Sequence, residues 1–438
     1  MKASFVVALG VLFLINILNF YDRNVAGALA EPMKAEFGLS DSQIGFLGSV
    51  FIWLYAAVGV PLGWMSDKVN RRYMLAAGIA VWSVLTAING LAQNYTHLVV
   101  ARLGVAVGEA VVAPAATSWI GDLFPAEKRS RALAIFMLGV PIGGALSYFL
   151  SGPAAQAFGW RVALMLAAIP ALALIPAVLM LKEPKRGAAE AHGQVQQSAS
   201  MWSVLRIPTL WWIIASGALL NFNMYAYGTF LVSFFIRIHS QTLAQAGITT
   251  GIVYAVGGLA GGFLAGYFGD RIVKRRRDGR LLVAAAIAIL GAPMAFFGIL
   301  QPKGSVALAA ALMAIAYGAC NTYYGLVYSS IQDIVPPALR ASTMSIYFMF
   351  MYFCGASMGP LLTGKVSDWR AHELATAAGS QVITAAHKAE GLQQAMLMIP
   401  LMSSLLAIVL WAASRTIAAD MQRRDRSLAA GQPTAAAV

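Results

Sequence analysis

Residues 59–72 read GVPLGWMSDKVNRR, and residues 262–275 read GFLAGYFGDRIVKR. Each is an apolar stretch with two glycines four apart, followed by an acid and then a base. The first copy holds Gly59, Gly63, Asp67, Arg71 and Arg72; the second holds Gly262, Gly266, Asp270, Lys274 and Arg275, at a constant offset of 203 residues. A second match follows at an offset of 211. Asp122, Pro125 and Arg129, then Ile135-Phe136, reappear as Asp333, Pro336 and Arg340, then Ile346-Tyr347. Two coincidences at corresponding places read as a duplication, so the chain is built of two equivalent halves.

Composition says what the halves are made of. Hydrophobic residues are 59% and charged residues 11%, with a mean hydropathy of +0.70, where soluble domains carry about 25% charged residues. The expected fold is an all-α polytopic membrane protein with twelve transmembrane helices in two six-helix repeats. The spans fall near 4–29, 42–66, 73–92, 97–121, 131–151, 160–181, 209–236, 246–268, 281–300, 305–331, 342–366 and 393–415. This gives a six-helix bundle over 1–181, a polar linker over 182–208 with a short surface helix around Trp202, a second bundle over 209–415, and a disordered tail over 416–438. Halves of this kind place a cavity near the bilayer midplane and work by rocking against each other.

Of the 31 Lys and Arg residues, twenty-two lie in loops on the side of the N-terminus and linker, seven lie on the other side, and Arg23 and Arg102 lie within spans. That asymmetry puts both termini and the linker in the cytoplasm, and the chain is expected in a bacterial inner (plasma) membrane. It also accounts for the net charge of +13 without a nucleic-acid partner. Cys320 and Cys354 lie in apolar runs, and the five histidines lack metal-ligand spacing. Neither His-Glu-x2-His nor Gly-x-Ser-x-Gly occurs, so no metal, no cofactor and no enzymatic activity are expected.

Four charges break the apolar pattern. Asp22 and Arg23 sit inside the first span; Arg102 and Glu109 sit two helical turns apart, on one face of the fourth. An ionised group at bilayer depth costs roughly 2.5 kcal/mol or more, so these residues should face a polar interior and have partners. Asp22 with Arg102 and Glu109 with Arg23 is one pairing, and the crossed pairing is the other. The carboxylates Asp22 and Glu109 are the candidate proton-coupling sites. The guanidiniums of Arg23 and Arg102 suit an anionic substrate group. The opposite wall is polar without charge: Asn221, Asn223, Tyr225 and Tyr227 in the seventh span, Asn321 and Tyr324 in the tenth. Amides and phenols beside Phe222, Met224 and Phe230 suit a head group joined to a hydrocarbon chain. At the cytoplasmic end, Asp67 and Asp270 can hold a neighbouring helix in one conformation and release it in another. Gly63, Arg71, Arg72, Asp122, Arg129, Gly266, Lys274, Asp333 and Arg340 complete that expected gate.

Gly63-x3-Asp67-x3-Arg71-Arg72 resembles the loop signature of the major facilitator superfamily, and the twelve spans, the linker and the weaker copy at Gly266-Asp270 fit it throughout. Within that family the chain most resembles the Spinster-like transporters. The matching residues are Asn19-Phe20-Tyr21-Asp22-Arg23, Arg102 to Gly108-Glu109-Ala110, Asp122-Leu123-Phe124, Arg129-Ser130-Arg131, Ile135-Phe136, Pro141 and Gly143. The resemblance implies secondary active transport of a lysolipid or sphingoid phosphate, commonly proton-coupled, with Asn19 and Tyr21 lining the cavity. Organic anion/proton symporters share the Asp-Arg and Arg-x6-Glu patterns, which keeps small sugar acids and carboxylates open as substrates. The partners expected are thus a small-molecule or lipid substrate, protons and membrane lipids, with the chain acting as a monomer.

Overall fold

The computed structural model describes residues 2–66, 68–184, 201–273, 276–335 and 339–430. Asp67 and Lys274 lie outside the described residues, as does the side chain of Asp270. Among the described residues all regular structure is helical. Twelve helices are long and apolar enough to cross a membrane: Phe5–Ala28, Asp41–Ser66, Arg71–Asn89, Tyr95–Leu123, Arg131–Phe158, Trp160–Met180, Pro208–Arg237, Leu243–Ala265, Gly279–Ile299, Val306–Ile334, Thr343–Ala377 and Ala385–Arg426. They are called spans 1 to 12 below. The face holding residue 2 and the ends of spans 6 and 12 is the near face, and its opposite is the far face.

Local chemistry starts and bends these helices. Asn70 accepts from the Arg72 amide at 3.1 Å and Asn94 from the His97 amide at 2.9 Å, capping spans 3 and 4. Gly38, at φ 64°, ends the short helix Ala30–Phe37 between spans 1 and 2. Span 11 widens into a π-helix over Met351–Ala356. Spans 11 and 12 outrun the apolar stretches expected at 342–366 and 393–415, because polar residues carry the backbone ladder past the apolar layer. There Arg370 Nε donates to Gln394 at 2.5 Å, tying the two extensions together.

Where a disordered tail is expected from 416, the last helix runs on to Ala430. Asp420, 5% exposed, accepts from the Thr209 amide at 3.1 Å and its hydroxyl at 2.7 Å, so the tail caps the start of span 7. Asp420→Ala is expected to lower stability by about 1–2 kcal/mol. A shift in the melting temperature of the detergent-solubilised protein measures it.

The packing between halves follows the duplication. Span 2 lies against span 11 and span 5 against span 8, and these two seams exchange under the repeat, while span 1 meets span 7 between them. The seams are closest toward the far face. A Cβ on Gly27 would overlap the carbonyl of Gly228, and one on Gly45 would overlap that of Pro360, so helix backbone lies against helix backbone. The Tyr148 hydroxyl joins three spans there, 2.7 Å from the Gly228 carbonyl and 3.1 Å from Asn24 Oδ1. At the near face, segments Ala126–Met137 and Arg340–Phe350 pack substantially only within their own halves, and a Cβ on Gly59 or Gly262 would meet nothing within 4 Å. The halves are joined at the far face and part toward the near one.

Candidate functional site

The four intramembrane charges converge. Arg23 Nε reaches Glu109 Oε2 at 3.2 Å, and Arg102 Nη1 lies 3.9 Å from Asp22 Oδ2; of the two pairings open from the sequence, this is the one formed. All four are buried, at 8% exposure or less. Taking that many charges out of water is repaid only where further hydrogen bonds complete the geometry. Part of that completion is present. Arg102 donates to the main-chain carbonyls of Asp22 at 3.3 Å and Arg23 at 2.7 Å, bracing span 1 against span 4. Thr86, on span 3, donates to Asp22 Oδ2 at 2.8 Å.

The rest is missing. Asp22 Oδ1, Glu109 Oε1, Arg23 Nη2, Arg102 Nε and Asn19 Nδ2 are buried with no hydrogen-bond partner among the described residues. The carboxyl groups of Asp22 and Glu109 adjoin. Two adjoining carboxyls share a proton more readily than they carry two charges. The site therefore holds acceptors suited to a proton and donors suited to an anion.

Arg23 faces the seam between the halves. Its guanidinium carbon stands 4.7 Å from the Phe20 ring centre, 4.3 Å from Tyr55 and 5.6 Å from Phe51, with Tyr225 and Tyr352 of the second half also around it. From there an aromatic ribbon crosses into the second half. Ring centres are 5.7 Å apart for Tyr55–Tyr352, 6.4 Å for Tyr352–Phe348, 5.6 Å for Phe348–Tyr328 and 5.4 Å for Tyr328–Tyr324. Tyr352 belongs to the π-helical turn of span 11. Tyr324 lies 3.4 Å from Asn221 Oδ1, and Asn221 donates to its own helix at Gly217.

Other expected wall residues turn elsewhere. Asn223 donates to Ser403 on span 12 at 2.9 Å, inside the second bundle, because its position on span 7 faces that neighbour and not the first half. Tyr227 is fully buried against Tyr317. Tyr21 hydrogen-bonds Ser151 on span 5, and Asn321 donates to the Tyr317 carbonyl one turn back.

At the near face, the expected gate residues bond within their own halves. Arg71, fully buried, reaches Asp122 at 2.5 Å, Glu183 at 2.8 Å and Ser118 at 2.9 Å, binding the start of span 3 to the ends of spans 4 and 6. Arg129 donates to the Gly121 carbonyl, and Arg72 to that of Leu179. Beside Gly63 the nearest atom to an added Cβ is Pro114, in the same half, and Gly266 lies where the helix of span 8 runs on past Ala265 to Val273. In the second half Asp333 pairs with Arg280 at 2.6 Å, so Arg280 fills the place that Arg71 holds in the first half. Arg340 Nε is buried without a partner among the described residues.

A far-face charge lattice escapes the sequence reading. Arg237, the last residue of span 7, reaches Asp41 through both terminal nitrogens at 2.8 Å and Glu31 through Nε at 3.1 Å. Lys34 pairs with Asp41, and Ser367 donates to Asp41 Oδ2 at 2.7 Å. Asp368 of span 11 accepts from the amides of Asp41 and Ser42 at 3.0 and 2.7 Å, capping span 2 from the other half. The only signal was an acid at a helix start and a base at a helix end, which ordinary capping also explains.

Comparison with known proteins agrees with this architecture. The sequence model of the Major Facilitator Superfamily matches residues 12–360. An MFS-type efflux pump of Mycolicibacterium smegmatis is 28% identical over 96% of this chain and 95% of its own length. The sphingosine-1-phosphate transporter SPNS2 of Danio rerio is 26% identical over 83% of this chain and 76% of its own. The crystal structure of a bacterial homolog of the human lysosomal transporter Spinster, inward-facing and unoccupied, superposes with a TM-score of 0.85 at 26% identity, covering 96% of this chain and 99% of that one.

Proposed function

Because the chain belongs to the Major Facilitator Superfamily and resembles its Spinster-like branch, it is a transporter, and we propose that it moves an amphipathic anion, such as a lysolipid or sphingoid phosphate, by proton-coupled alternating access. The near face is read as cytoplasmic, with both termini there, in agreement with the excess of basic residues on that side. The far-face seal and the parted near ends then correspond to an inward-facing state.

The observation that carries the reading is the set of buried donors and acceptors around Asp22, Arg23, Arg102 and Glu109 that have no partner among the described residues. An anionic head group supplies what Arg23 Nη2 lacks. As it draws Arg23 away from Glu109, one carboxylate is left uncompensated in a low-dielectric site and is neutralised by a proton. Substrate and proton thereby favour each other's binding, and the neutralised site reorients. The aromatic ribbon from Tyr55 to Tyr324 favours an acyl chain over a compact acid, since rings with phenolic edges suit a long apolar body.

Arg23→Lys and Arg102→Lys keep the charge and lose the planar fork, so each is expected to weaken anion binding by about tenfold. A thermal-shift screen of lysolipids, sphingoid phosphates and sugar acids, followed by uptake into proteoliposomes, tests the substrate class. Full affinity in both lysine variants points to a neutral or zwitterionic substrate. Stabilisation and uptake of sugar acids alone overturns the amphipathic reading.

A further inference from the structure

Asp22 stands about 9 Å below the far end of span 1. Its carboxyl adjoins that of Glu109, but the two have different surroundings. Glu109 and its partner Arg23 face the seam and its aromatic rings. Asp22 points into the interior of the first half, toward Thr86 and Arg102.

The seam itself offers no far-side route to Asp22, because backbone contacts at Gly27 and Gly45 and the Asp41–Arg237 lattice close it. Inside the first half there is another opening. Thr86, Asn89 and Arg102, with Val25, Met33 and Leu98, line a cavity of about 10 Å³, enough for one water. None of its lining residues comes from the second half. Arg102 Nε, on a side chain 5% exposed, has no partner among the described residues, so the cavity wall carries an unsatisfied donor. Asn89 closes the line outward: it is the last residue of span 3, one turn from Thr86.

We propose that Asp22 exchanges its proton with the far side through the interior of the first half, along Asn89, one water and Thr86, on a path separate from the one the substrate takes between the halves. The proposal rests on the proton-coupled reading. In the transfer, the Thr86 O–H bond breaks as its hydrogen passes to Asp22 Oδ2. A new O–H bond forms on Thr86 from the water, which in the same movement takes a proton from the far side and so stays neutral. Rotation of the hydroxyl restores the donor, and one proton has moved inward. The charged and titratable groups facing Asp22 are Arg102 and Glu109 from span 4 and Arg23 on its own helix. Arg102 holds a fixed positive charge beside the water, which keeps a free cation from resting there. Thr86 relays the proton in this scheme, and Asn89 is a positioning residue.

The test needs no substrate. The infrared carboxyl band lost in Asp22→Asn identifies Asp22, and its rise after a pH jump gives the protonation rate in purified protein. Thr86→Val and Asn89→Leu are each expected to slow that rise by about tenfold, the worth of one charge-assisted hydrogen bond, while Thr86→Ser restores it. A wild-type rate in either slow variant overturns the route, and so does a slow rate in Thr86→Ser. If Asp22→Asn removes no titrating band, the proton-coupled reading fails at Asp22 and this proposal falls with it. A band that titrates but ignores Thr86 and Asn89 leaves the coupling intact and removes only the path.

Discussion

Asp22→Asn is expected to abolish accumulation of substrate driven by a pH gradient while leaving exchange of internal for external substrate in place. The amide imitates a permanently protonated acid: the substrate still binds and the halves still rock, but no proton is taken up or released with each cycle. Per coupled proton, a one-unit pH gradient supports roughly a tenfold substrate gradient, since one pKa unit corresponds to a tenfold ratio. The variant should therefore fall to a ratio near one. Glu109→Gln should share the defect, because the two carboxyls adjoin and each offers an oxygen without another partner. Uptake into proteoliposomes with and without a pH gradient measures both. Accumulation at the parent level in both variants would falsify the coupling scheme.

The second large effect is expected at the far face. Arg237→Ala removes a cation that binds Asp41 and Glu31 together across the halves. Asp41 keeps Lys34 and Ser367, so the cost is chiefly that of two charge-assisted bonds to Asp41 and those to Glu31, roughly 3 kcal/mol or more. That cost falls only on the state in which the far ends touch, so the population should swing by at least about a hundredfold toward the state open at the far face. Distances between spin labels on the far ends of spans 2 and 11 report the swing. An unchanged distribution shows that the backbone seam alone holds the far face shut. Asp41→Asn tests the same lattice from the acid side, where Lys34, Arg237 and Ser367 all converge.

Much of this was legible in the sequence, for identifiable reasons. Twelve spans and a duplication are written in local composition and in the spacing of Gly63, Asp122, Gly266 and Asp333. The four intramembrane charges announced themselves by their cost, and two helical turns between Arg102 and Glu109 put both on one face. The far-face lattice was not legible, since Arg237 and Asp41 are 196 residues apart and each alone resembles an ordinary helix-end residue. Arg280, at the start of span 9, was also not legible as the partner of Asp333, because the two are 53 residues apart and a base at a helix start carries no mark of what it meets. Asn223 shows the same limit: polar residues crowd one stretch of span 7, and only the packing tells which of them face the other half and which face span 12.

The backbone contacts at Gly27 and Gly45 have a consequence for the membrane as an insulator. A gate made of long side chains can gape by a rotamer change and let ions dribble through. At Gly27 and Gly45 peptide carbonyls lie where side chains would be, so at these contacts the seam has no flexible part to swing aside. It opens only when whole helices separate. Between turnovers such a carrier keeps the electrical resistance of the bilayer.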